Sequence, residues 1–289
     1  MVTNLAANLA ANLAANKDPS EHNKVSDSAL HVSVSGTGPA VILLHGLFGM
    51  GSNLGGLARA LASDFEVHQL DLPNHGRSLW QANSDLGDLA SSVNAYIKSK
   101  ELGPVALVGH SLGGKVAMQM ALTSPKEVGS LIVADIAPVE YPASHDAVFA
   151  AIAAVEAARP TSRSEAGELM RGFVSEASVV QFLTLSLKRD VDGFYVWRFN
   201  AQALRDNYEK LRKAPEGSQY SRAALFIYGL DSTYVDETGI AAALRAFPQA
   251  RFEGIPDTGH WLHAEKPQAF NRAVLSFLKH STRNEDRQG

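Results

Sequence analysis

Short apolar runs alternate along the chain with stretches whose apolar positions recur at helical spacing. Residues 30–35 alternate apolar and polar, as an exposed edge strand does. Val41-Ile42-Leu43-Leu44, residues 105–108 and residues 131–134 are continuously apolar, the pattern of strands covered on both faces. Residues 65–70, 224–228 and 250–255 complete the set of predicted strands. Between them, 54–63, 86–98, 114–124, 239–247 and 267–280 read as helices. Strands separated by helices predict right-handed crossovers, and hence a mostly parallel central sheet with helices on both faces. One gap, 138–221, is about 84 residues long and carries helical patterns of its own at 145–158, 164–174, 177–187 and 204–213. Inside an α/β sheet, an insertion of that length predicts a cap or lid. The predicted organisation is a tail over 1–28, a core built from 29–137 with 222–285, and a cap over 138–221.

Composition narrows the function classes. Of 289 residues, 45% are apolar and 19% charged, enough apolar surface to exclude disorder as the main state. Lys plus Arg is 26 against 30 Asp plus Glu, a net charge of −4, so there is no basic footprint for nucleic acid. Cysteine is absent, which removes disulfides, thiolate metal sites, iron–sulfur clusters and cysteine nucleophiles together. No run of 18 apolar residues exists, so no membrane span is predicted. Residues 4–16 read NLAANLAANLAAN, a repeat whose leucines drift about 40° per unit around a helix. This segment lacks the basic start of a signal peptide and the arginines of a transit peptide. It is expected to be a non-catalytic tail, and the protein to be cytoplasmic.

The chemistry concentrates at strand ends. Gly109-His110-Ser111-Leu112-Gly113 follows a predicted strand and precedes a predicted helix, the context that a G-x-S-x-G nucleophile elbow requires. Its glycines answer a steric need, because side chains two positions either side of the serine would collide with neighbouring backbone. The following helix aims its positive end at the place where negative charge develops. A serine hydroxyl needs a base. His260 lies in a loop after the last strand, whereas His263 reads as a cap or surface histidine. His45, His75 and His110 have structural readings in a strand end, a turn and the elbow. Two backbone N–H groups should hold the oxyanion: Leu112, after the nucleophile, and Leu47, in the loop His45-Gly46-Leu47-Phe48-Gly49. Phe48 is expected to wall the acyl pocket, and His110 and Trp261 to touch substrate beside it.

These segments resemble the α/β-hydrolase superfamily and, within it, the bacterial YbfF-type esterases. The resemblance is carried by HGLFGMGSNLGGLARAL from His45, DLPNHGRS from Asp71, GHSLGGKVAM from Gly109, DIAPVEY from Asp135 and GHWLHAEKP from Gly259. It runs from about residue 29 to 280 and leaves out the repeated tail. It implies a carboxylic ester hydrolase on short- to medium-chain acyl esters, with thioesters an open alternative, and no cofactor or metal. Most α/β-hydrolases place the triad acid in a G-x-x-D pattern after the strand that here is 224–228. This chain has Gly229-Leu230-Asp231-Ser232, so Ser232 occupies that position and Asp231 is one residue early. YbfF-type esterases carry the acid at the end of the preceding strand, which the resemblance assigns to Asp135; Asp231 and Asp257 remain alternatives.

The implied mechanism has Ser111 attack the ester carbonyl, His260 shuttle the proton, and Asp135 hold the imidazole. The loop Asp71, Asn74, His75, Arg77 and Ser78 either supports the site or is a structural turn. Among the apolar residues of the insertion, Phe149, Ile152, Met170, Phe173, Phe182, Leu183, Tyr195, Trp197 and Phe199, a few are expected to line the acyl channel. Rival readings are C–C hydrolysis, lyase or perhydrolase chemistry on the same triad, and a small-molecule receptor that keeps the triad. A dehalogenase is disfavoured because position 111 is Ser rather than Asp.

Overall fold

The computed structural model describes residues 30–285; the repeated tail and the expectations for it lie outside that range. Seven strands form one sheet: β1 (Val32–Ser35), β2 (Ala40–Leu44), β3 (Glu66–Leu70), β4 (Val105–His110), β5 (Val128–Ala134), β8 (Ala224–Gly229) and β9 (Ala250–Ile255). Their order is β1-β3-β2-β4-β5-β8-β9. Only β1 runs antiparallel, against β3. β1 is the exposed edge, whereas β5 is buried along its whole length, which is why one alternates and the other is continuously apolar.

Helices cover both faces. α1 (Gly55–Leu61) and the C-terminal α11 (Pro267–Glu285) pack on one side, where Leu57, Leu61, Phe270 and Val274 meet Val41, Val108 and Ile132. α2 (Leu86–Ser99), α3 (Leu112–Thr123) and α9 (Glu237–Ala246) pack on the other with Ile42, Leu107, Leu131 and Phe226. Every residue of α3 from Leu112 to Leu122 is buried, as expected of a helix apolar almost all round. The short α10 (Leu262–Glu265) leads into α11.

The stretch between β5 and β8 carries α4 (Asp146–Ala158), α5 (Arg163–Arg171), α6 (Ala177–Leu185), a hairpin of β6 (Leu187–Arg189) and β7 (Tyr195–Trp197), then α7 (Ala201–Asp206) and α8 (Tyr208–Leu211). The hairpin is absent from the sequence expectation, because three-residue strands are too short to display a period. The helix expected over 204–213 is broken in two at Asn207. Its side chain takes the Ala203 carbonyl at 2.9 Å, donates to Ala82 O at 2.7 Å and accepts from Ser84 N at 3.3 Å, tying the break to the core. Among the described residues no helix is long and apolar enough to cross a membrane.

Candidate active site

Parallel register brings the site together. His110 on β4 pairs with Ala134 on β5, so the next residues, Ser111 and Asp135, leave the sheet side by side. Both are forced into the left-handed region, at φ 53° and 50°, a strain that persists only where surrounding structure imposes it. Ser111 N donates to Ala134 O at 3.0 Å, and Asp135 N donates to Ile227 O on β8 at 2.8 Å. The elbow then turns straight into α3. A Cβ on Gly109 would run into the Gly113 carbonyl, and one on Gly113 into the carbonyl of Leu44 on β2. The glycines are therefore required by close backbone approach, as the sequence pattern implied.

Asp135 is the carboxylate that meets His260. It is fully buried, and its Oδ2 accepts from His260 Nδ1 at 2.7 Å. Gly229 N donates to Oδ1 at 3.0 Å, and the Ser232 hydroxyl donates to Oδ2 at 2.5 Å. Three donors on one buried carboxylate offset the cost of its desolvation. Asp231 is exposed, and exposed Asp257 pairs with Lys266 at 3.5 Å; neither contacts His260. The ring of Tyr234 stacks on His260 with centroids 4.1 Å apart.

The loop after β2 is locked by two imidazoles. His45 Nε2 accepts from Leu72 N at 3.0 Å, which leaves the proton on Nδ1, and Nδ1 donates to Gly46 O at 2.8 Å. Gly49 N donates to the same carbonyl at 3.1 Å. That carbonyl belongs to the peptide whose N–H is Leu47, so both bonds fix the direction in which Leu47 N–H points. His75 repeats the device: Nε2 accepts from Phe48 N at 3.2 Å while Nδ1 donates to Pro73 O at 2.9 Å. Burial keeps both rings neutral, pulling His45 down to about 4 and His75, with help from its neighbour His45, to about 3. Asp71 completes the clamp, accepting from Gly51 N at 2.7 Å and Arg77 N at 2.9 Å. The loop from Asp71 to Ser78 is thus a support bound directly to the chain around Leu47. Gly46 presses on the elbow; a Cβ there would sit 3.4 Å from Ser111 Cβ. Among the described residues no acceptor takes up the N–H of Leu47 or of Leu112.

Ser111, Leu47, Leu112, Ile136 and Tyr234 open on a cavity of about 330 Å³. Its far wall comes from the two ends of the β5–β8 stretch: Tyr141, Pro142, Ser144 and His145 on one side, Tyr208, Leu211 and Arg212 on the other. Lys115 fastens those ends to α3. Its ammonium donates to the carbonyls of Val139 at 3.1 Å and of Arg212 and Lys213 at 2.6 Å each. Burial lowers its pKa to about 7.

Several sequence expectations are displaced. Phe48 does not line the cavity: its φ of 63° turns the ring into a cluster with Phe149 at 5.4 Å and Phe199 at 5.2 Å. His110 is buried behind the elbow and donates from Nε2 to His260 O at 2.9 Å, bracing the loop that carries His260. Trp261 packs at a tilt against Phe182, with centroids 4.3 Å apart, outside the cavity lining. His263 is half-buried; its ring lies 4.4 Å from His110, and burial lowers its pKa to about 4. None of the nine apolar residues expected to supply the channel lines this cavity, and Phe149, Ile152, Met170, Leu183, Trp197 and Phe199 are buried in the core instead. Tyr234, Tyr208, His145 and Lys115 also line the cavity. Of these only Lys115 carries a local signal in the sequence, as the one charged residue of a largely apolar helix.

A family model described as the alpha/beta hydrolase fold matches residues 39–267. Esterase YbfF of Escherichia coli is 38% identical over 239 residues, covering 82% of this chain and 92% of that protein. The sn-1-specific diacylglycerol lipase ABHD11 of Mus musculus is also 38% identical, over 249 residues, covering 83% of this chain and 81% of that one. A solved structure titled marine microorganism esterase superposes with a TM-score of 0.83 at 33% identity, covering 86% of this chain and 98% of that chain.

Proposed function

The chain belongs to the α/β-hydrolase family, as a YbfF-like esterase within it, and from that premise we propose that it cleaves carboxylic esters through an acyl-enzyme on Ser111. The observation that carries the reading is the 2.7 Å bond between buried Asp135 and His260, whose ring stacks on Tyr234, a residue that lines the same cavity as Ser111. The geometry supports the following roles. Asp135 takes the proton of Nδ1 in a hydrogen bond, which leaves Nε2 of His260 as the basic nitrogen. That nitrogen removes the Ser111 proton as the hydroxyl attacks the carbonyl, then returns it to the departing alcohol. The N–H groups of Leu47 and Leu112 receive the oxyanion, and the N-terminus of α3 adds its dipole. Water then repeats the sequence on the acyl-enzyme and frees the acid. Ser232, at the position where most of the family carries the acid, serves here as a donor that holds the Asp135 carboxylate in place.

The β5–β8 stretch acts as the cap, but through its two ends rather than its central helices. A cavity of about 330 Å³ is at the small end for ligand sites and suits short to medium acyl chains. The relatives' names, an esterase and a diacylglycerol lipase, both point to acyl ester substrates. The test is a series of 4-nitrophenyl esters and acyl-CoA thioesters of increasing chain length, run beside Ser111→Ala. Turnover is expected with short and medium esters and to fall by several orders of magnitude in the variant. A serine-directed phosphonate should label Ser111 alone. More than a few per cent of activity left in Ser111→Ala refutes the covalent route.

A further inference from the structure

His145 stands just before α4, in the stretch that leads into the cap, and its ring lines the cavity that Ser111 opens on. Its Nδ1 lies 2.5 Å from the Tyr208 hydroxyl and 3.3 Å from the Ser144 hydroxyl, both of which can donate to it. The Tyr208 hydroxyl also receives the Ser144 N–H at 3.3 Å. Among the described residues the Tyr208 proton has no other protein acceptor, so it points at Nδ1 and the imidazole proton resides on Nε2. Burial holds the ring neutral, with its pKa lowered to about 4. The ring plane is set by edge-on contact with Tyr208 at 5.3 Å and by Phe48 at 6.2 Å. Nε2 itself meets no protein group among the described residues. It is a fixed, uncharged N–H donor in a cavity where Leu47, Leu112, Ile136 and Leu211 offer only carbon side chains.

The two cations of the lining are already engaged. Lys115 spends its three protons on carbonyl oxygens. Arg212 binds Glu140 at 3.0 Å, the Tyr141 carbonyl at 2.7 Å, and Glu209 through its two terminal nitrogens, and its remaining Nε is buried without a partner. The cavity therefore presents a neutral donor, matched to a neutral acceptor.

We propose that His145, held by Tyr208, forms a polar subsite that binds a neutral acceptor oxygen of the substrate, an ether, hydroxyl or carbonyl oxygen remote from the scissile ester. The preferred substrates are then oxygen-bearing esters rather than plain alkyl ones. This rests on the reading of Ser111 as nucleophile. His145 takes no part in proton transfer; it selects the substrate by leaving an unpaired donor when an alkyl chain fills the subsite.

The test uses two isosteric pairs that differ in one oxygen. 4-Nitrophenyl methoxyacetate against 4-nitrophenyl butyrate probes the acyl side; 2-methoxyethyl butyrate against butyl butyrate probes the alcohol side. The ratio of kcat/KM within each pair is compared between the native protein and each variant, so intrinsic reactivity and any loss common to both esters cancel. In one pair, His145→Phe is expected to lower the ether-to-alkyl ratio by about tenfold, the scale of one hydrogen bond to a neutral group. His145→Gln retains an N–H near the same place and should restore most of it. Tyr208→Phe removes only the hydroxyl that sets the tautomer, and should lower the same ratio by about two- to threefold, a reading that stands even if His145→Phe folds poorly. Ratios unchanged in both pairs, in both variants, overturn the subsite. Ser111→Ala in the same panel separates the two claims: full turnover there refutes the nucleophile, whatever the ratios do.

Discussion

Replacing Asp135 by Asn tests the assignment of the acid with little change of volume. The structure dictates how the amide would sit. Gly229 N donates to Oδ1 at 3.0 Å, so the Asn carbonyl must face that N–H. The amide NH₂ then faces Ser232 and Nδ1 of His260, where Oδ2 now accepts at 2.5 Å and 2.7 Å. Ser232 can rotate its hydroxyl to accept, but His260 must change tautomer, with Nδ1 becoming the acceptor and Nε2 carrying the proton. A protonated Nε2 cannot act as base toward Ser111. In serine proteases the equivalent wrong-tautomer change costs about 10⁴ in kcat, which corresponds to about 5 kcal/mol of barrier. Folding should suffer far less, about 1 kcal/mol, because each neighbour keeps a partner. The assay is kcat on a 4-nitrophenyl ester beside the urea midpoint. Asp231→Asn is expected to change kcat less than about twofold, since that side chain is exposed and forms no hydrogen bond or ion pair with His260. Adding Ser232→Asp to Asp135→Asn should recover part of the activity, because Ser232 Oγ already lies 2.5 Å from the Asp135 oxygen that His260 uses. A large loss at Asp231 with a small one at Asp135 refutes the assignment.

Other outcomes follow from the loop after β2 and from the buried histidines. His45→Phe removes one of two donors to the Gly46 carbonyl and should lower kcat by about 10- to 100-fold with KM nearly constant; an equal loss in 1/KM refutes the orienting role. His45 and His75 are lowered by burial to about 4 and about 3, so as pH falls below 6.5 the unfolded chain takes up protons that the folded chain refuses. Stability from these two rings is therefore complete above about pH 6.5 and lost between there and about pH 3, on the order of 8 kcal/mol for the pair. A melting temperature flat over that window contradicts the neutral tautomers. Among the described residues no group of three His, Asp or Glu side chains is placed to hold a metal ion, and EDTA should leave ester turnover unchanged. Loss of activity on chelation, with recovery on added zinc, argues against the triad.

Properties that depend on near neighbours in the chain were legible without coordinates. Continuously apolar runs such as Val41–Leu44 announce buried parallel strands because both faces must be covered. Gly109 and Gly113 announce the elbow because their reason is local, a backbone too close to admit a Cβ. The choice of acid is different. Ser232 standing at the usual acid position hinted at Asp135, but what joins Asp135 to His260 is the β4–β5 register and the strained turn after Ala134, across a separation of 125 residues. Likewise the cavity is lined by residues at the two ends of the β5–β8 stretch, among them Tyr141, His145, Tyr208 and Arg212, because Lys115 pulls those ends onto α3 with bonds to backbone carbonyls. Backbone carbonyls leave no trace in the side-chain pattern. Phe48 carried the right residue type for a pocket wall, yet its left-handed backbone turns the ring away from the cavity. Chain-local sterics are written in residue types and spacing; register, tautomers and the shape of the cavity arise only once distant segments pack.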